Sequence, residues 1–141
     1  MDLSYGSEYD AFREEVKSFI RSHKHKQPKP GDGIKSQAMR DWQSLLIEHG
    51  YHSRTIASEY GGYGAEPDII KSRIIAEEFG AERVHRGFNG QGVTMLTPVL
   101  LEMGTEEQKK AFVEPTIKAD MIWCQGYSEP GAGSDLASLT T

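Results

Sequence analysis

The chain has 141 residues with a formal net charge of −5, and 37% of its residues are hydrophobic. This length suits one domain, and the acidic balance argues against a nucleic-acid-binding protein, which usually carries a basic face. The sequence has one cysteine and no apolar run of about 18 residues, so we predict no internal disulfide and no membrane span. The start lacks a basic region followed by an apolar core, which predicts a cytoplasmic protein.

Two amphipathic helices are predicted in the first fifty residues. The first runs from about Ser7 to His23. The second runs from about Ser36, which can cap its start, to His49 and ends at Gly50. Their apolar faces are Phe12, Val16, Phe19 and Ile20 in the first helix and Met39, Trp42, Leu45 and Leu46 in the second. The loop between them carries His23 and His25. Because zinc sites usually need three or four ligands, we predict a solvated basic loop and no metal site there.

Two more helices are predicted in the middle of the chain, over about Asp68–Gly80 and Val93–Met103. The segment 87–92 between them is rich in glycine. A dinucleotide-binding loop would follow a strand, and no strand precedes this segment. Close packing between helices is therefore the preferred explanation for these glycines.

A last helix begins at a capping box formed by Thr105 and Gln108. Pro115 is expected to break or restart this helix before it ends near Lys118. The apolar segment Met121–Cys124 then predicts one strand. The predicted fold class is mainly α: an up-and-down, bundle-like helical domain followed by one strand and loop.

The stretch Trp123–Asp135 begins apolar and ends as a polar, glycine-rich turn. Glycine lets backbone N–H groups approach an anion or a planar ring closely, because it has no Cβ in the way. Ser128 and Ser134 add hydroxyls that both donate and accept hydrogen bonds. The stretch predicts a loop that holds a phosphate or the polar edge of a cofactor, and an ordinary surface turn is the alternative.

The order of residues in this stretch is more informative than its composition. The run Tyr127–Asp135, preceded by Trp123–Gln125, resembles the flavin-binding signature of the acyl-CoA dehydrogenase family. Tyr60–Gly64 resembles that family's Tyr-Gly-Gly segment, and Gly104–Lys109 resembles one of its helix starts. The three segments follow the family's order and approximate spacing, so the resemblance covers nearly the whole chain.

The resemblance implies an N-terminal helical domain over residues 1–120, and the first strand and flavin-binding loop of an incomplete β-domain over 121–141. The family removes the α-proton of an acyl-CoA thioester and transfers the β-hydride to FAD. Its glutamate base usually lies in a C-terminal helical domain, so no residue of this chain is predicted to be catalytic. The implied partners are an acyl-CoA substrate, an electron-transfer flavoprotein and further subunits of a homo- or hetero-oligomer.

The implied site residues lie in the signature stretch. Those carried over as cofactor-binding are Gln125, Tyr127, Ser128, Gly133 and Ser134, and Ser134 is also carried over as substrate-binding. Tyr127 is a departure, because many members have a smaller residue there, and it predicts a restricted pocket. Cys124 has no basic neighbour in sequence, which predicts a buried structural thiol.

Two functional hypotheses remain open at this point. The first is the N-terminal part of an FAD-dependent acyl-CoA dehydrogenase, inactive alone. The second is a non-catalytic helical module, or a split subunit that assembles with a partner carrying the catalytic base. A dedicated module should be a soluble, well-behaved monomer, whereas a truncated domain should expose apolar surface.

Overall fold

The structure, a computed structural model, describes residues 5–140. In chain order its helices are α1 (Ser7–His23), α2 (Gln37–Glu48), α3 (Ile69–Ala81), a π-helix (Gly92–Leu96), α4 (Thr97–Met103) and α5 (Glu106–Ile117). Short 3₁₀ turns occupy Lys24–Lys26, Ser58–Tyr60 and Leu136–Ser138. The mainly α fold class is confirmed.

Polar side chains cap the starts of three of these helices. At α3 the Asp68 carboxylate accepts a hydrogen bond from the Lys71 N–H at 2.9 Å. At α2 the Ser36 hydroxyl accepts a hydrogen bond from the Met39 N–H at 3.2 Å. At α5 the Gln108 N–H donates to the Thr105 hydroxyl at 3.3 Å, and the Thr105 N–H donates to the Gln108 side chain at 2.9 Å. This reciprocal pair satisfies backbone donors that a helix start otherwise leaves without partners.

The first hydrophobic core lies between α1, α2 and α3. Its buried members are Val16, Phe19, Ile20, Trp42, Leu46, Ile74, Ile75, Phe79 and Val84. The apolar faces predicted for α1 and α2 supply most of this list, because helical spacing brings them to one side. Arg13 of α1 also pairs with Glu77, at 2.8 Å, and with Glu78 of α3, so the two helices are joined outside the core as well.

A second, smaller core lies under α5. Its buried residues are Ile47 from the end of α2 and Val113 and Ile117 from α5, and Leu100 and Leu101 of α4 pack against them. The end of α2 therefore contributes to this second core, while Trp42 and Leu46 of the same helix belong to the first. This position makes α2 the element that connects the two halves of the domain.

The expected break at Pro115 is wrong, because α5 continues through it to Ile117. A proline inside a helix removes one donor, and here the loss falls in the last turn, where few further bonds depend on it. The Pro115 carbonyl still accepts the N–H groups of Asp120 at 3.0 Å and Met121 at 2.9 Å. Burial of Val113 and Ile117 on either side of the proline keeps the turn in place.

The strand expected at Met121–Cys124 is also not formed between residues 5 and 140. A strand needs a neighbouring strand to accept its backbone hydrogen bonds, and in this part of the chain no ladder pairs with the segment. An isolated bridge joins Glu129 to Ala132 instead. The domain boundary after residue 120 stays a prediction.

Candidate functional site

An open groove of about 460 Å³ lies where the π-helix and α4 face the chain that follows α5. One wall comprises Gln91, Met95, Leu96 and Val99, and the other comprises Trp123, Cys124, Gln125, Gly126 and Tyr127. Met95 is 50% exposed and Val99 is 56% exposed, so apolar side chains face solvent along this wall. Apolar walls with a few amide groups are typical of small-molecule sites.

The first wall begins as a π-helix because of the proline that follows it. In a regular α-helix the ring of Pro98 would clash with the carbonyl of Thr94. The wider turn avoids this, and the Thr97 N–H donates five residues back to the Gly92 carbonyl. The buried Thr97 hydroxyl donates to the same carbonyl at 2.9 Å. Single π-turns of this kind frequently occur at functional sites.

The second wall is anchored by Trp123. Its indole N–H donates to the Thr116 hydroxyl at 2.8 Å, and its ring packs edge-on against Phe112 of α5. The ring lies directly against Gly92, where an added Cβ would sit 2.4 Å from the Trp123 Cδ1. Only glycine allows this approach, so the two walls touch at the floor of the groove.

Two of the five predicted cofactor residues line the groove. The Gln125 side chain accepts a hydrogen bond from the Gln91 amide at 3.3 Å, and its own amide lies 3.3 Å from the Met95 sulfur. Tyr127 is 71% exposed at the mouth of the groove. Both side chains are thus available to a ligand that enters between the walls.

The other three predicted residues lie beyond the groove, in the turn that follows. Ser128, Gly133 and Ser134 are exposed. Reciprocal backbone bonds between Glu129 and Ala132, at 2.8 and 3.1 Å, close this turn. The structure therefore places two of the five predicted residues along the groove and three outside it. The role of each residue stays a prediction.

The glycines of the turn are not required by the packing of the described residues. A Cβ added at Gly126, Gly131 or Gly133 would meet nothing within 4 Å, and none of the three has a positive φ. Open space above exposed serine hydroxyls leaves room for a polar group to approach the backbone closely. An apolar groove that continues into such a turn fits a flavin, which has an apolar ring face and a polar edge.

The prediction of a buried thiol at Cys124 is wrong, because Cys124 is exposed and lines the groove. Free cysteines are usually buried, whereas in the described residues the groove leaves the Cys124 side chain open to solvent. Between residues 5 and 140 no group of three or more metal-ligating side chains forms, and no helix there could span a membrane.

Sequence reasoning missed a buried polar pair, Gln43 and His52. Gln43 is fully buried and His52 is 6% exposed. The His52 Nδ1 lies 2.8 Å from the Ser53 hydroxyl and its Nε2 lies 3.1 Å from the Asn89 side-chain oxygen, so a neutral ring satisfies both neighbours. Burial lowers the pKa of His52 below its usual 6.5.

This buried histidine predicts a loss of stability in mild acid. A depressed pKa means that the unfolded chain binds the proton first, so stability is full above about pH 6.5 and falls as the pH drops below it. The uptake of one proton on unfolding changes the free energy of unfolding by at most about 1.4 kcal/mol per pH unit. Urea unfolding between pH 5 and 7.5 should show this slope in the native chain and in His25→Gln, an exposed control. It should be absent in His52→Gln, and an unchanged slope in that variant would contradict the assignment.

The groove residues Gln91, Met95, Val99 and Trp123 were also missed as site residues. Met95 and Val99 are apolar residues of the helix predicted over Val93–Met103, but a helical pattern cannot tell whether the face that they share is covered or open. Pro98, four residues after Thr94, was the available signal, because such a proline predicts an irregular turn.

The fold and the groove together define a helical domain with an open, largely apolar groove beside the segment that follows α5. A family model described as "Acyl-CoA dehydrogenase, N-terminal domain" matches residues 6–120. The acyl-CoA dehydrogenase IpdE1 of Mycolicibacterium smegmatis is 36% identical over 102 residues, which cover 72% of this chain and 26% of the relative.

Solved structures agree with this match. The "Tcur3481-Tcur3483 steroid ACAD" superposes with a TM-score of 0.65 at 29% identity, over 100% of this chain and 36% of the neighbour. The ChsE4-ChsE5 complex from Mycobacterium tuberculosis gives a TM-score of 0.63 at 27% identity, over 99% of this chain and 35% of the neighbour. The chain therefore belongs to the acyl-CoA dehydrogenase family, a family of flavoprotein oxidoreductases, and spans about a quarter to a third of these relatives' length.

Proposed function

We propose that this chain is the N-terminal part of an FAD-dependent acyl-CoA dehydrogenase, which forms a double bond between the α and β carbons of an acyl-CoA thioester. The observation that carries the proposal is the groove between the π-helix and the signature segment. Its apolar wall suits an acyl group, and the amides and hydroxyls beside it suit the polar edge of a flavin.

In this proposal the chain's own residues bind and orient. Gln125, Tyr127 and the Ser128 hydroxyl would hold the edge of the flavin ring, while Gly133 and Ser134 would face the FAD pyrophosphate and the acyl-CoA. FAD, when bound, supplies the hydride acceptor. Fixed N–H and O–H donors at its edge stabilise the negative charge that develops as the hydride arrives.

The catalytic base would come from outside the residues described. A general base must reach the proton that it abstracts, and among residues 5–140 no carboxylate lines the groove. A later segment of the same polypeptide or a partner subunit would supply it. An electron-transfer flavoprotein would then reoxidise the flavin.

A split enzyme is the alternative arrangement that the neighbours favour. Both solved structures combine two components by name, Tcur3481 with Tcur3483 and ChsE4 with ChsE5. By this analogy the chain would work in a hetero-oligomer whose second polypeptide carries the base. The open apolar wall at Met95 and Val99 would then be covered on assembly.

A titration with FAD tests the proposal. The chain is titrated alone and after mixing with the remaining part of an acyl-CoA dehydrogenase, while flavin fluorescence and bleaching by acyl-CoA are recorded. We expect tight binding and bleaching in the mixture only. Tight binding by the chain alone would favour a self-contained flavoprotein, and no binding in either sample would contradict the assignment of the signature segment.

A matched pair of glycine variants sharpens this test. Gly133→Val adds a side chain in open space, so the fold should be unchanged, while the approach of FAD should be blocked. We expect FAD affinity in the assembled enzyme to fall by at least about tenfold, or ~1.4 kcal/mol. Gly33→Val is the control, because its site is equally open and lies in the loop before α2. Equal FAD affinity in both variants would show that Gly133 is not part of the FAD site.

A further inference from the structure

The segment between α3 and the π-helix is held by side chains. Residues 84–90 have no regular secondary structure, yet they lead directly into the first wall of the groove. The Trp42 indole donates to the His85 carbonyl at 2.7 Å, and the Phe88 N–H donates to the Gln43 side-chain oxygen at 2.7 Å. Two adjacent residues of α2 therefore fix this segment at two points.

The other end of the Gln43 amide reaches the end of α5, from which the chain leads to the opposite wall. Its nitrogen donates to the carbonyl of Ile117, the last residue of α5, at 2.7 Å. From there the chain continues to Trp123, which anchors the second wall on Thr116. One fully buried side chain thus joins the segment that enters the first wall to the helix end that precedes the second.

The surroundings of Gln43 match its shape and leave little room for movement. Gly87 has a φ of +83°, and a Cβ there would sit 2.6 Å from the Gln43 side-chain oxygen. His52 packs on the other side, with a ring nitrogen 3.2 Å from the Gln43 amide nitrogen, and also contacts Asn89. Buried donors and acceptors left without partners are costly, so this arrangement is strongly preferred over a displaced one.

We propose that Gln43 is a positioning residue that sets the separation of the two walls of the groove. The groove's role as a substrate site rests on the proposed function, whereas the mechanical role of Gln43 does not. Gln43 touches no groove-lining residue in the contacts described above and acts through Phe88 on one side and Ile117 on the other.

The separation of the walls can be measured directly. Cys124 is exposed on the second wall, and Thr94 is exposed on the π-helix, so nitroxide labels on Cys124 and on Thr94→Cys report the distance across the groove. In Gln43→Met, which keeps the length of the side chain but removes its hydrogen bonds to Phe88 and Ile117, we expect the distance distribution to broaden. In Gln37→Met, the same change at an exposed position of α2, it should stay as narrow as in the native chain.

Hydrogen exchange distinguishes a positioning role of Gln43 from a general effect on the stability of the chain. In Gln43→Met the Phe88 amide should exchange roughly tenfold faster or more, while amides of α1 keep their protection. In its ionised form Gln43→Glu keeps the acceptor for Phe88 and removes the donor to Ile117, so above the pH at which this buried carboxyl ionises it should broaden the distances but leave Phe88 protected. Gln43→Glu also provides a second variant for the distance measurement if Gln43→Met does not fold. The proposal would be overturned by an unchanged distance distribution in a folded variant, or by an equal loss of protection throughout the chain. Neither measurement depends on FAD, so both test Gln43 independently of the proposed function.

Discussion

Replacing Trp42 by alanine is expected to bring the chain close to unfolding. Trp42 is 1% exposed in the first core, and its indole N–H is the partner of the His85 carbonyl. Truncation of a buried aromatic residue to alanine costs about 3–5 kcal/mol, while a small domain has about 5–15 kcal/mol of stability in total. Urea unfolding followed by circular dichroism should show a large fall in the midpoint.

A second substitution separates packing from hydrogen bonding at this position. Trp42→Phe keeps an aromatic ring against Phe19 but leaves the His85 carbonyl without its donor. We expect it to cost about 1–3 kcal/mol, clearly less than alanine. If alanine and phenylalanine cost the same, the core around Trp42 does not pack as described.

Replacing Gly92 by alanine is expected to destabilise the chain and to move the indole of Trp123. The new methyl group would lie 2.4 Å from the Trp123 Cδ1 and 2.8 Å from the Thr116 Cγ2, so the ring must shift away from its hydrogen-bond partner. Overpacking of this kind typically costs about 1–3 kcal/mol. Unfolding in urea gives the cost, and the Trp123 indole resonance in an NMR spectrum reports the shift.

Gly80→Ala is the matched control for this prediction. Gly80 lies in α3, and a Cβ there would meet nothing within 4 Å. Alanine is the better helix former by about 0.5–1 kcal/mol, so this variant should be slightly more stable than the native chain. A Gly92→Ala chain that gained stability in the same way would show that the two walls do not touch at this point.

The open wall of the groove should make the isolated chain prone to association. Met95, Val99 and Met103 repeat every four residues and are 50%, 56% and 77% exposed. An apolar stripe of this kind favours association with another surface. Of the two hypotheses for the chain, this exposure favours a domain that is completed by further polypeptide over a self-sufficient module.

Local sequence signals were enough to place most of the helices. The exceptions are the helix predicted over Val93–Met103, which begins as a π-helix, and the break predicted at Pro115, which does not occur. The caps at Ser36 and Thr105 and the apolar faces of α1 and α2 are short-range patterns, and they form as predicted because each depends on residues within a turn or two. The signature segment and the two upstream segments together indicated the family, and the family model that confirms it matches residues 6–120, which precede the signature segment.

The tertiary structure alone decided how these elements meet. Whether the face of Met95 is covered, whether Met121–Cys124 finds a strand to pair with, and whether Cys124 is buried all depend on neighbours distant in sequence. The same holds for Gln43, an ordinary polar residue in a helical pattern, whose role follows from partners 45 and 74 residues away. Periodicity reports which residues share a face, whereas burial and hydrogen bonding depend on what packs against that face.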